Sequence, residues 1–282
     1  MAARRSTTQA FFDAGTSTIS YVVWDHATRQ AAVIDPVLDF DAGTGRIATA
    51  SADRILACVA EQRLTVEWIL ETHAHADHLS SAQVLRARCG GRVAIGAGIR
   101  SVQAAFAEVC GLEPSRTADP SPFDRLLQDG DTLRLGGLAV TALHVPGHTP
   151  ADMAYLVDGA VFVGDTLFMP DVGSARTDFP GGDARQLHRS IRRLLELPPE
   201  TVMYVCHDYP PPHRGPAWQT TVAEQRAANV HARWSVAEDD FVAMRVARDA
   251  TLAEPALFSA AMQVNLRAGE LPRPTTTART TE

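Results

Sequence analysis

The sequence predicts a four-layer α/β protein, two packed sheets flanked by helices, and three observations predict it. Apolar β-branched runs alternate with amphipathic stretches of helix length, this rhythm recurs in both halves, and no apolar run is long enough to span a bilayer. At 282 residues the chain supports one large domain with ample core, and its 45% hydrophobic and 21% charged content is ordinary for a globular protein.

The elements follow in order. Residues 19–24 and 31–36 read as a hairpin whose second strand stops at Pro36. A helix is expected over 51–63, with Ile55, Leu56 and Val59 on one face and Ser51 as its cap. Residues 65–70 form a strand, 79–89 a helix stopped by Gly90-Gly91, and 92–95 another strand. In the second half, Asp129-Gly130-Asp131 is a turn between short strands, and residues 138–145 alternate toward Pro146-Gly147-His148. Residues 154–157 and 160–163 pair through Asp158-Gly159. A Gly/Pro-rich loop covers 169–182, Asp183 caps a helix to residue 195, and a strand over 202–205 leads to His207. From 235 the pattern is helical and then loose, with a disordered tail expected over 272–282.

A net charge of −7 argues against nucleic acid or an anionic membrane as partner. All basic residues are arginine, so a single arginine carries little weight. Cys58, Cys89, Cys110 and Cys206 have neither metal-ligand nor redox spacing, which suits a reducing compartment. The first residues read as no secretory signal, so a cytoplasmic protein is expected.

The chemistry sits in Thr72-His73-Ala74-His75-Ala76-Asp77-His78, directly after the 65–70 strand. Three imidazoles and a carboxylate in so short a span resist burial in an apolar core, but they suit a divalent metal such as zinc or iron. Three later positions share one grammar, an apolar strand that stops just before a His or Asp. They are His148, Asp165 after Val163-Gly164, and His207 after Val205-Cys206. Ends of neighbouring strands converge at one sheet edge, so these residues are expected to share one metal site with the cluster.

On these motifs the chain resembles the metallo-β-lactamase superfamily over about residues 10–235. The resemblance implies an αββα sandwich with metals at one edge. It groups His73, His75 and His148 as one set and Asp77, His78 and His207 as a second, with Asp165 between them. It also implies a catalytic domain over 1–234 and a helical extension over 235–271 packed on it.

Within the superfamily, residues 69–80, 164–179 and 206–209 with 220–226 look most like the persulfide dioxygenases. The Gly-Ser-Ala-Arg-Thr-Asp-Phe stretch, residues 173–179, is the most distinctive. That branch implies one Fe(II) per chain held by His73, His148 and Asp165, with His75, Asp77, His78 and His207 around it. Asp77 is then expected to orient a ligand histidine. Two imidazoles and one carboxylate leave a metal face open for a substrate sulfur and O2. The implied substrate is glutathione persulfide, gripped by Arg176, Tyr209 and Arg214, since arginine pairs with carboxylates. Relatives of this kind imply a homodimer. In that family the position of Ser174 is often cysteine. Two other readings stay open. One is a glyoxalase II-like thioesterase with two metals, and the other is a scaffold that holds metal without turnover.

Overall fold

In the computed structural model, residues 5–107 and 121–272 are described. The N-terminal half runs β1 (Ser6–Asp13), β2 (Thr18–Asp25), β3 (Gln30–Ile34), β4 (Val37–Asp41), β5 (Arg46–Ala48), α1 (Ala50–Glu61) and β6 (Thr65–Leu70). It continues through β7 (Leu79–Ser80), α2 (Ala82–Cys89), β8 (Arg92–Gly96), α3 (Ile99–Phe106) and β9 (Arg125–Leu127). The C-terminal half holds β10 (Thr132–Leu135), β11 (Leu138–His144), β12 (Met153–Val157), β13 (Ala160–Phe162), α4 (Ala184–Leu195) and β14 (Val202–Tyr204). After these come β15 (Gln219–Thr221), α5 (Val222–Ala228), α6 (Glu238–Asp249) and α7 (Phe258–Asn265).

One six-stranded sheet has the order β1-β2-β3-β6-β8-β9 and the other β10-β11-β12-β13-β14-β15. A small sheet, β5-β4-β7, sits beside them. Every residue of β2 is buried, because successive side chains serve two different cores. Tyr21 and Val23 join the layer between the sheets with Leu70, Tyr155 and Phe162, while Val22 and Trp24 face the helices with Ile55, Leu85 and Val102. On the far side Leu187, Ile191 and Phe241 cover the second sheet, so the expected four layers are present.

Several local expectations hold residue for residue. The strand at 65–70 is β6, and β12 pairs with β13 antiparallel through Asp158-Gly159. Asp183 caps α4 by accepting from the Arg185 and Gln186 amides, an arrangement that contributes about 1 kcal/mol.

Others are corrected. The N-cap of α1 is Thr49, and Ser51 instead donates from its amide and hydroxyl to the Asp39 carboxylate at 2.9 Å each. A carboxylate from the middle of β4 thus satisfies a helix end that the local sequence does not. The helix expected over 79–89 starts at Ala82, because Leu79 and Ser80 pair with Leu38 and Val37. The 129–131 turn does stand between short strands, β9 and β10, which belong to different sheets. A further strand, β1, pairs along the whole of β2. Cys110 and, beyond residue 272, the expected tail lie outside the described residues. No described helix is long and apolar enough to cross a membrane.

The two C-terminal helices contact the body at defined points. Helix α6 packs on α4, and the Asn265 side chain at the end of α7 reaches the metal-binding loop.

Candidate metal centre

Strand ends build the site. Strands β3, β6 and β8 run parallel, as do β13 and β14, so their C-terminal ends meet along one edge of the sandwich. The end of β3 delivers Asp35 and that of β6 the 71–78 segment, while β13 delivers Asp165 and β14 delivers His207. Gly164 is obligatory at its turn: its φ is +53°, and a Cβ there would lie 2.8 Å from the Thr72 side chain.

The candidate ligands are sorted by their hydrogen bonds. His148 Nδ1 lies 2.7 Å from the Arg176 carbonyl, which only accepts, so Nδ1 carries the hydrogen and Nε2 keeps its lone pair. That Nε2 is 3.7 Å from Asp165 Oδ2, and His73 Nε2 is 3.9 Å from the same oxygen. His73, His148 and Asp165 therefore form one ligand-like set, with donor atoms all within 4.8 Å of one another. His75, Asp77, His78 and His207 form another. His75 stands between the sets, its ring centroid 4.0 Å from that of His73 and 4.2 Å from that of His78. Asp165 touches both: its Oδ1 is 3.4 Å from His207 Nε2.

The residues fit a cation. His73 Nε2, His75 Nδ1, His78 Nε2, His207 Nε2, Asp77 Oδ2 and Asp165 Oδ1 are buried and make no hydrogen bond among the described residues. Buried polar atoms rarely stay unpaired, and six of them converging at one edge is the signature of a metal site. Burial, with the neighbouring imidazoles, holds His73 and His75 well below the usual histidine range, which keeps their lone pairs free. Burial pushes the Asp77 carboxyl up, but His207 and His78 outweigh it and hold it well below the usual carboxylate range.

A buried carboxylate placed to orient ligand histidines is Asp35. Asp35 Oδ1 accepts from His75 Nε2 at 3.0 Å, which turns Nδ1 toward the second set. Its Oδ2 accepts from the Thr72 hydroxyl, and that hydroxyl lies 3.1 Å from His73 Nδ1. One buried carboxylate thereby directs both histidines, one of them through a threonine. Asp77 lies 3.5 Å from His78 Nδ1 and 3.4 Å from His207 Nε2, so it sits among the second set rather than behind the first. Sequence reasoning passed over Asp35, although it obeys the same rule of an apolar strand ending at an acid. It also passed over Asn265, whose side-chain amide donates to the His75 and His78 carbonyls at 2.8 and 2.7 Å and accepts from the Ser80 amide.

A cavity of about 700 Å³ opens on this edge, lined by Asp77, His148, Asp165, Phe168, Arg176 and Tyr209 among others. Tyr209 is half exposed and stacks on His207 with ring centroids 5.9 Å apart. Arg176 reaches the cavity, but its guanidinium also pairs with Asp178 and donates to the Ala253 carbonyl. Arg214 is a correction. Two carboxylates, those of Asp171 and Asp208, occupy its guanidinium, and it does not line the cavity. Arg248 of α6 does line it, and its guanidinium makes no ion pair or hydrogen bond among the described residues.

Two sheets between helical layers, with histidines and aspartates gathered at one edge, define the αββα metal-binding class. The chain belongs to the metallo-β-lactamase superfamily, whose family model matches residues 14–207. It is 54% identical over 278 residues to a probable metallo-hydrolase of Burkholderia pseudomallei, covering 95% of each chain. To a glyoxylase B2 of Dictyostelium discoideum it is 46% identical, covering 94% of this chain and 91% of that protein. It is also similar to the human mitochondrial persulfide dioxygenase ETHE1, at 28% identity over 92% of this chain and 87% of that one. Among solved structures, ETHE1 from Myxococcus xanthus superimposes with a TM-score of 0.74 at 32% identity, over 94% of this chain and all of that one.

Proposed function

We propose that the chain is an iron-dependent persulfide dioxygenase that oxidises glutathione persulfide with O2 to sulfite and glutathione. The observation that carries this reading is the three-residue set His73, His148 and Asp165, two members of which line the cavity. A bound ferrous ion would supply a centre with an open face at which a persulfide sulfur and O2 meet. The atoms balance when water joins: GSSH, O2 and H2O become GSH, sulfite and two protons.

The chain's own groups do the rest. The Arg176 carbonyl fixes which His148 nitrogen faces inward, and Asp35 does the same for His73 through Thr72. Phe168 and Phe179 give the cavity apolar walls, which limit the water around the reacting sulfur. Tyr209, as a phenol, and the guanidinium groups of Arg176 and Arg248 face the space that the glutathione moiety and its carboxylates would fill. The similarity to ETHE1 in both sequence and fold supports the reading. A homodimer in the cytoplasm, with one iron per chain, goes with it.

A second reading has its own support. All four members of the second set are in place with buried unbonded atoms, and relatives at 46–54% identity carry hydrolase or glyoxylase names. That reading is a binuclear thioesterase acting on S-acylglutathione.

Metal analysis combined with oxygen uptake separates them. About one iron per chain, with O2 consumed and sulfite formed in equal amounts from glutathione persulfide, supports the dioxygenase. Two zinc ions per chain with hydrolysis of S-lactoylglutathione, and no O2 uptake, would replace it with the thioesterase.

A further inference from the structure

We propose that Asp249, on helix α6, positions His148 through a single peptide group, the one that joins Arg176 to Thr177. The inference rests on the proposed site in taking His148 as a metal ligand. The carbonyl of that peptide accepts from His148 Nδ1 at 2.7 Å. The amide of the same peptide donates to Asp249 Oδ2 at 2.8 Å, and the Thr177 hydroxyl donates to that oxygen at 2.9 Å. A carboxylate pulling on the N–H of a peptide puts more negative charge on its carbonyl oxygen, because hydrogen bonds in series polarise one another. The Asp249 charge thus reaches the imidazole without contact, strengthening the Nδ1–H bond and fixing the ring with Nε2 toward the site.

Asp249 is itself held rigidly. Arg245 Nε and Nη2 lie 2.9 and 2.7 Å from its Oδ1, and Arg245 Nη1 donates to the Ser174 carbonyl at 3.1 Å. Arg245 is 1% exposed and Asp249 6%. A buried ion pair adds little net stability over apolar packing, since desolvation offsets its attraction. What this pair supplies is direction: it fixes both ends of the 174–177 segment from below. Both residues lie beyond the 14–207 stretch matched by the family model. Helix α6 is therefore part of the metal site's support.

The test titrates the metal-free full-length protein with Co(II) in competition with a chelator. It also records the His148 Nδ1–H proton by NMR in zinc-loaded, 15N-histidine protein. Asp249→Asn keeps the shape and removes the charge. It is expected to weaken Co(II) binding roughly 10- to 100-fold and to move the Nδ1–H resonance upfield. The double variant Arg245→Gln/Asp249→Asn leaves no unpaired buried guanidinium and is expected to match it. Glu238→Gln, which loosens the pairs of α6 with Arg185, His188 and Arg189 of α4, is expected to bind as the wild type does. Wild-type affinity with an unmoved Nδ1–H signal in a folded Asp249 variant would overturn the inference. So would an equal loss in Glu238→Gln, since helix docking would then explain the effect. Absence of O2 uptake with these Co(II) results intact would overturn only the dioxygenase reading.

Discussion

Asp165 Oδ1 lies 3.4 Å from His207 Nε2, while its Oδ2 faces His73 and His148 at 3.9 and 3.7 Å. The two oxygens of one carboxylate therefore look at different ligand sets. If the proposed iron centre is right, Asp165→Ala abolishes iron retention, whereas His207→Ala lowers activity and leaves the iron bound. Metal analysis of the purified variants checks this, and loss of iron from both would indicate a shared two-metal centre.

Asp35 holds the Thr72 amide and hydroxyl together with His75 Nε2. Asp35→Ala leaves these buried donors without an acceptor, which costs on the order of 1–3 kcal/mol for each donor left unsatisfied. It is also expected to weaken metal binding roughly 10- to 100-fold, because His73 and His75 lose their orientation. Urea denaturation and chelator competition measure the two effects. A variant that binds metal as tightly as the wild type would show that the imidazoles need no such support.

At Gly164 any side chain meets Thr72 and must adopt a positive φ. Gly164→Ala is expected to lose about 1–3 kcal/mol of stability from backbone strain and to displace Asp165, reducing metal content in step. Unchanged stability and metal content would show that the β13 turn has room to spare.

The response to pH follows from opposite shifts at two histidines. Burial, together with His75 and His148, holds His73 well below its usual range. Burial also pushes His207 down, but Asp77 and Asp165 outweigh it and raise it. A cation competes with protons for a ligand only below that ligand's metal-free pKa. For His207 the competition begins above the ordinary value of about 6.5, and for His73 below it. Asp165, raised by burial, weighs on both sets alike. On acidification of a protein loaded at both sets, the cation held through His207 is expected to leave first. Stepwise Co(II) spectra across the titration test the order, and release of the His73 cation first would contradict it.

Arg176 faces the cavity and is already paired with Asp178. If it also grips a substrate carboxylate, Arg176→Ala removes a charge-assisted contact of about 1.5–3 kcal/mol. KM for glutathione persulfide should then rise by roughly 10- to 100-fold with a smaller change in kcat. An unchanged KM would transfer the carboxylate contact to Arg248.

Much of the fold was legible because its elements are locally consistent. The β6 run, the Asp158-Gly159 turn and the Asp183 cap are each specified within a few residues, and each lies where the pattern puts it. The misreadings arose where a distant group intervenes. Ser51 turns to Asp39 across a helix end, and Leu79 is claimed by β4. Arg214 looked like a substrate residue because its two carboxylate partners, Asp171 and Asp208, are not recognisable as partners from spacing alone.

At the metal edge, residue types and strand ends are a matter of local sequence: an apolar run that stops at His or Asp places that residue at the edge whatever lies around it. Which nitrogen of each imidazole turns inward is not. His75 presents Nδ1 because Asp35 holds its Nε2, and His148 presents Nε2 because the Arg176 carbonyl takes its Nδ1–H. Those partners come from other strands and loops, and a hydrogen bond has direction only once both ends are in place. The ligands could therefore be named from the chain, but their aim belongs to the folded sandwich.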